Sequence, residues 1–335
     1  MRDVKWLAAL LVSLALIAAC GGQTGGGQTS HKLRIGLVLP PLTNQTINDI
    51  YLGAKARAQE IGVDLTEGGG VETPVWMNAC QKILSSKVDI LIYDSLDAQG
   101  TSKCVTDANK AGIKVICLFA CTAQGHQDVT ISLDFKADGA TIGKWMANAV
   151  APSGEVAMLR GPLGDEAITT IENSFKDTLA SGCSGCKLVA DVPGGNDRNS
   201  GYTVGLQVLT AHPAITGMYC ANDDIALGCL RALQQIGKAE KVQLAGHNGT
   251  CDALSSLLTG KGLKFTMLIA GGPFGIAVVD VAKKLYDGQK VEATQFVNPY
   301  PLDTKTAQDI LGGSKQNPPG IDVKSKLQKA QSGCS

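Results

Sequence analysis

The chain has 335 residues, a length that suits two domains better than one, with 44% hydrophobic and only 4% aromatic content. Its 30 basic residues are matched by 30 acidic ones, so it has no electrostatic footprint for a nucleic acid, and that class of partner is set aside. Forty glycines suit many tight strand-to-helix turns, and eleven cysteines exceed what a reduced cytosolic protein ordinarily carries.

The N-terminus agrees with an oxidising destination. Arg2 and Lys5 precede an apolar run, Trp6–Ala19, which ends at Cys20. The run is short for a membrane span and right for a signal-peptide core. Ile17-Ala18-Ala19-Cys20 reads as a bacterial lipobox: residues 1–19 would be removed and Cys20 acylated at the membrane surface. The alternative is a plain secretory signal that ends at a cysteine. Gly21–Ser30 has the composition of a flexible spacer, so residues 20–31 are assigned as a linker. No later segment is long and apolar enough to span a bilayer.

Beyond the linker, apolar strands alternate with helical periodicity. Leu33–Leu39 is a buried strand, Pro40–Asn44 a turn and Asn48–Gly62 a helix. Asp64–Thr66 is a weak strand, Val75–Lys87 a helix, Asp89–Tyr93 a strand, Gly100–Gly112 a helix and Lys114–Phe119 a strand. The pattern then restarts with strand Thr130–Leu133 and helix Lys136–Ala149, where Asp138-Gly139 is a blemish near the start. Gly154–Leu159, Lys187–Val192, Val242–Gly246 and Lys264–Leu268 are strands, separated by helices at Thr169–Ser181, Asn199–Ala211 and Cys251–Gly260. Between them, Met218 and Tyr219 end a further strand, Asn222-Asp223-Asp224 makes a polar elbow, and a helix runs on to Gly237. A long helix Phe274–Asp287 and a last strand Thr294–Val297 follow, with Pro299-Tyr300-Pro301 opposing a long continuation. The tail, residues 312–335, is expected to be an ordered extension with one short helix. Such alternation builds an α/β protein of two lobes, each a parallel sheet flanked by helices. Polar elbows after strands place side chains at the carboxyl edge of a sheet, where open α/β proteins hold ligands.

Several stretches resemble the ribose-type periplasmic binding proteins, the solute receptors of sugar ABC transporters, over roughly Leu33 to Leu302. They are LRIGLVLP at the first strand, Asp134 with the following Gly139–Gly143 helix, Leu209–Pro213, Ala221–Gly228 and Gly246–Thr250. The resemblance implies the type I periplasmic-binding-protein fold, with three hinge crossings near Asp134, Ala270 and Pro299. One lobe would be 32–134 plus 270–298 and the other 135–269 plus 299–311.

The resemblance also implies a site. Asn44 and Asn222 match amides that bind sugar hydroxyls, and Asn248 stands where the family usually has an acidic residue. Elsewhere the sugar site is altered. Thr46 and Ile47 replace an aromatic pair, Phe119-Ala120 an Asp-Arg, Ile171 an arginine, Asn196 an aromatic and Ile269 a glutamine. Asp94 ends the third strand on the same side. The candidate ligand-binding set is therefore Asn44, Thr46, Asp94, Phe119, Ile171, Asn196, Asn222, Asn248 and Ile269. Each has a plainer role beside it: Asn44 as a helix N-cap, Asp94 and Asn248 in turns, Phe119 in the core, and Asp223 and Asp224 capping their helix. A cleft of neutral amides with an apolar wall suits an uncharged ligand less polar than ribose, because unmatched polar groups cost about 1–3 kcal/mol each.

Of the cysteines after Cys20, Cys80 and Cys104 sit on consecutive helices, and a bridge between them is expected. Cys117 and Cys121 are close in sequence, and Cys183-Ser-Gly-Cys186 forms a CxxC. Cys220, Cys229 and Cys251 surround one sheet edge, and Cys334 is near the end of the chain. A redox site would need its CxxC at a helix N-terminus, whereas this one follows a helix. Motifs for nucleophilic, phosphate-binding and dinucleotide-binding chemistry are absent, and Cys117, Cys121 and His126 lack a fourth zinc ligand. Neither metal nor cofactor is expected, and no enzyme activity. The expectation is a monomeric lipoprotein that delivers a small molecule to an ABC permease. A receptor that feeds a sensor or chemoreceptor, and an extracytoplasmic thiol oxidoreductase using Cys183 and Cys186, are the alternatives.

Overall fold

The computed structural model describes residues 31–162, 166–318 and 321–334. The signal segment and Cys20 lie outside them. The first sheet is assembled from β1 (Arg34–Leu39), β2 (Asp64–Gly69), β3 (Ile90–Tyr93), β4 (Lys114–Leu118), β5 (Val129–Ser132) and β11 (Thr294–Phe296). The second contains β6 (Glu155–Arg160), β7 (Lys187–Pro193), β8 (Ile215–Cys220), β9 (Gln243–Asn248), β10 (Phe265–Leu268) and β12 (Tyr300–Asp303). The strand orders are β11-β5-β4-β3-β1-β2 and β12-β10-β9-β8-β6-β7.

Helices α1 (Gln45–Glu60), α2 (Thr73–Ser85), α3 (Ser102–Lys110) and α9 (Gly271–Tyr286) belong with the first sheet. Helices α4 (Phe135–Val150), α5 (Glu166–Gly182), α6 (Arg198–Ala211), α7 (Asp223–Gln235) and α8 (Cys251–Thr259) belong with the second. The chain crosses between lobes after β5, after β10 and after β11, so three short segments join two α/β halves.

The period-2 alternation of strands explains why each sheet carries a core on both faces. In β1, Ile35, Leu37 and Leu39 enter one cluster with Ile90, Ile92 and Phe274. Val38 enters the opposite cluster with Leu91, Tyr93 and Trp76. Helices α1 and α9 pack unusually closely: a Cβ on Gly275 would stand 2.0 Å from the Ile50 carbonyl oxygen, so only glycine permits the approach.

The end of the chain departs from expectation. β11 ends at Phe296, before the prolines, as expected, but it is not the last strand: β12 runs antiparallel against β10, with Pro301 opposite Met267. A proline has no N–H to donate, and an edge strand needs none on its outer side. After it come α10 (Thr304–Gly312), for which no helix was expected, and α11 (Val323–Ser332), the one short helix expected in the tail. Leu327 and Ala330 of α11 pack with Leu254 and Leu257 of α8, and a disulfide joins Cys334 to Cys251 at the start of α8. The extension is thus part of the second lobe. Further disulfides join Cys80 to Cys104, Cys117 to Cys121 and Cys183 to Cys186, while Cys220 and Cys229 are free thiols with their sulfurs 3.4 Å apart.

Candidate interlobe ligand site

Parallel strands end at one edge, and the loops after β1, β3, β4, β8 and β9 all leave from it. The two lobes meet at these edges: the amide N–H of Cys251, at the start of α8, donates to Oε1 of Gln45 at the start of α1 (3.2 Å). A second link joins Lys326 Nζ of α11 to Asp49 Oδ2 of α1 at 2.9 Å.

On the first lobe, Asn44 is exposed and its carbonyl oxygen caps α1, accepting from the Ile47 N–H at 3.2 Å. Thr46 is half-buried in the first turn, and Ile47 is buried. Asp94 is buried, and its backbone carbonyl accepts from Trp76 Nε1 at 3.0 Å. Phe119 follows β4 with φ +53 and stacks on Phe274 at 4.8 Å between ring centres. A non-glycine residue held at positive φ costs about 1–2 kcal/mol, which the surrounding packing must hold in place.

On the second lobe the elbow differs from expectation. Asn222, not Asp223 or Asp224, caps α7: its extended backbone (φ −146, ψ 169) lets Oδ1 accept from the Ile225 N–H at 2.8 Å. Its Nδ2 donates to Asn196 Oδ1 at 2.9 Å, so the two amides form one pair on this edge. Asp223 is wholly buried, accepting from the Thr250 N–H at 2.7 Å and from the Thr266 hydroxyl at 2.8 Å. Burial pushes its carboxyl up to about 6 against those two hydrogen bonds. Asp224 faces outward and pairs with Arg198 (2.8 Å).

Asn248 ends β9 at φ +114, half-buried, and its carbonyl accepts from the Ile269 N–H at 3.0 Å. It is therefore bonded to the second crossing, where Ile269 is half-buried against the first lobe's core. Ile171 is the member placed apart from these edge amides. It is a core residue of α5, clustered with Ile142, Met146 and Phe175.

Two groups escaped notice in the sequence. Gln45, which bridges the lobes, carried no signal beyond its place at a helix start. Asp138, read as a blemish in α4, is buried and stands 3.6 Å from buried His247. An acid on the buried face of a helix was the available clue. Among the described residues no group of three or more His, Cys, Asp or Glu could hold a metal. Cys183 and Cys186 are bonded to each other after the C-terminal end of α5, away from any helix N-terminus that would lower a thiol pKa.

A family model described as "periplasmic binding protein domain" matches residues 35–290. The ribose import binding protein of Salmonella typhimurium is 30% identical over 304 residues, spanning 90% of this chain and 98% of the relative. That of Bacillus subtilis is 25% identical over 88% of this chain and 97% of its own length. Among solved structures, an ABC transporter solute-binding protein of Actinobacillus succinogenes with bound D-allose superposes with a TM-score of 0.78 at 23% identity, covering 83% of this chain and all of the other. One from Bacillus halodurans with bound myo-inositol gives 0.77 at 21% identity, covering 85% and 99%. The chain belongs to the ribose-type periplasmic binding proteins.

Proposed function

We propose that this chain is the lipid-anchored solute receptor of an ABC importer, holding an uncharged sugar-like or less polar small molecule between its lobes. The observation that carries this reading is the chemistry of the facing edges. Asn44, Asn196, Asn222 and Asn248 offer neutral amides, while Phe119 and Ile269 offer apolar surface. The relatives' names include ribose and allose, and solved neighbours hold allose and myo-inositol, which supports a polyhydroxylated or related ligand. A ligand that touches both edges would favour the closed arrangement by its differential affinity, and the permease would read that shape. Cys20 would carry the acyl anchor, with residues 21–31 as tether.

A thermal-shift screen over sugars, polyols, nucleosides and small lipophilic metabolites, followed by calorimetric titration, tests the ligand class. D-Ribose is expected to bind more weakly than the best hit. Micromolar or tighter ribose binding would overturn the less-polar assignment, and a screen without hits would overturn the receptor reading. For the anchor, Cys20→Ala is expected to move the protein from the membrane to the soluble fraction.

A further inference from the structure

His247 is buried at the end of β9, and its Nδ1 lies 2.9 Å from Oδ1 of Asn248. An amide oxygen only accepts, so this contact requires a proton on Nδ1. On the other side of the ring, Nε2 faces Asp138 Oδ2 at 3.6 Å, and among the described residues neither atom has another partner. With the ring charged, both nitrogens are donors, one toward the carboxylate of α4 and one toward the amide. With the ring neutral, the carboxylate holds the remaining proton on Nε2, and Nδ1 becomes an acceptor. Asn248 then satisfies it only by turning its NH2 inward.

We propose that His247 sets which end of the Asn248 amide faces the interlobe cleft, so that the site presents a donor when the ring is charged and an acceptor when it is neutral. His247 is a positioning residue here, acting on the ligand through Asn248. The inference rests on the cleft reading above and deepens it. The charged ring selects a ligand with an acceptor oxygen, such as a ring ether or carbonyl, at that point. The neutral ring selects a hydroxyl donating there.

The surroundings favour the charged ring. Burial opposes it, but Asp138 of α4, the Asn248 side-chain amide oxygen and Asp223 of α7 outweigh that and raise the imidazole above its ordinary value. Tyr219 of β8, Glu172 of α5 and the Cys220 thiol of β8 are further buried titratable groups near it. The tyrosine is held neutral by burial, and burial likewise raises Glu172. A group with a raised folded value stabilises the fold below its unfolded value and loses that contribution as pH rises through the folded one. The amide reversal therefore falls above the ordinary histidine midpoint.

The test needs no ligand. Nitrogen-15 NMR of the intact folded chain follows the His247 ring nitrogens and the Asn248 side-chain amide across roughly pH 5–9. The Asn248 signal is expected to shift with the His247 midpoint. Asp138→Asn is expected to lower both midpoints together by about 1–3 units, the usual effect of removing a close opposite charge. His247→Phe should leave the Asn248 signal flat, and if that variant fails to fold, the Asp138→Asn shift still decides. An Asn248 amide that ignores the titration of His247, or a ring that stays neutral throughout, would overturn the proposal. Failure of every sugar and polyol to bind would instead strike the cleft reading, and the two outcomes are read separately.

Discussion

The two carboxyl edges that face each other are made of different chemistry. Beneath the first lobe's edge lies a neutral knot: the Tyr93 hydroxyl accepts from the Thr122 N–H at 3.1 Å and from Gln127 Nε2 at 3.0 Å, with the Phe119–Phe274 stack on the opposite face of the sheet. Beneath the second lies a set of buried ionisable groups, Asp138, Glu172, Asp223 and His247. Hydroxyls and rings hold their geometry at any ordinary pH, whereas buried acids and imidazoles trade protons with it. One edge is thus a fixed wall and the other a titratable floor. Near neutral pH, any pH dependence of stability or binding should enter through the second lobe, because the first lobe's Asp97 and Asp107 are held below the ordinary carboxylate range by hydrogen bonds from the Gly100 N–H and from Lys103.

The largest expected effect tests that division at Asp223. Asp223→Ala removes both hydrogen bonds that hold the α8 loop and β10 to α7. It leaves the Thr250 N–H unmatched, and a loss of about 2–4 kcal/mol is expected in urea unfolding. Asp223→Asn keeps an acceptor and removes the titration. Because the folded value near 6 lies above the ordinary 3.8, the acid's contribution is complete below about pH 4. It is lost as pH rises to 6 and beyond, on the order of 2–3 kcal/mol. Stability of wild type minus Asp223→Asn should therefore fall across that window. A flat difference curve would show that the buried acid does not titrate there.

Much of this molecule was legible before folding. The alternation of buried strands with 3.6-period helices specified two α/β halves, because periodicity reports which face is buried. The elbow after β8 was placed correctly, but its capping residue was assigned too late. The cap depends on which side chain reaches the third helical N–H, and that is a matter of φ and ψ at Asn222 rather than composition. His247 stood out near the cleft, but its partner Asp138 did not, since sequence spacing says nothing of two residues more than a hundred positions apart. The pairing of Cys251 with Cys334, 83 positions apart, was hidden because spacing over that distance does not fix which cysteines meet. The prolines did end β11, but the edge strand β12 that contains Pro301 was missed, because proline's effect depends on whether its strand is at an edge.

A smaller effect is expected at the neutral wall. Phe119→Ala loses the stack on Phe274 but keeps the unfavourable backbone, and a half-buried ring makes that about 1–3 kcal/mol. Phe119→Gly loses the same stack and relaxes the positive φ, so it should be destabilised less than the alanine variant, contrary to the usual order. Both losses should be equal at acid and neutral pH by urea unfolding. A loss that varies with pH would place titration in the first lobe too and remove the contrast between the edges.

The smallest effect concerns what joins the two edges. Lys326 belongs to a helix held on the second lobe, yet its amine pairs with Asp49 of α1 at 2.9 Å. The side chains are 27% and 29% exposed, so the pair is screened and is worth about 0.5 kcal/mol. Its importance is positional: the contact exists only when the lobes are as close as they are here, so its whole energy bears on the open–closed balance. Lys326→Ala should shift that balance about twofold toward open at low salt, and less at high salt as screening removes the wild-type advantage. Spin labels on α1 and α8, read as interlobe distances without ligand, measure it. Identical distance distributions at low salt would mean that the C-terminal helix braces only its own lobe.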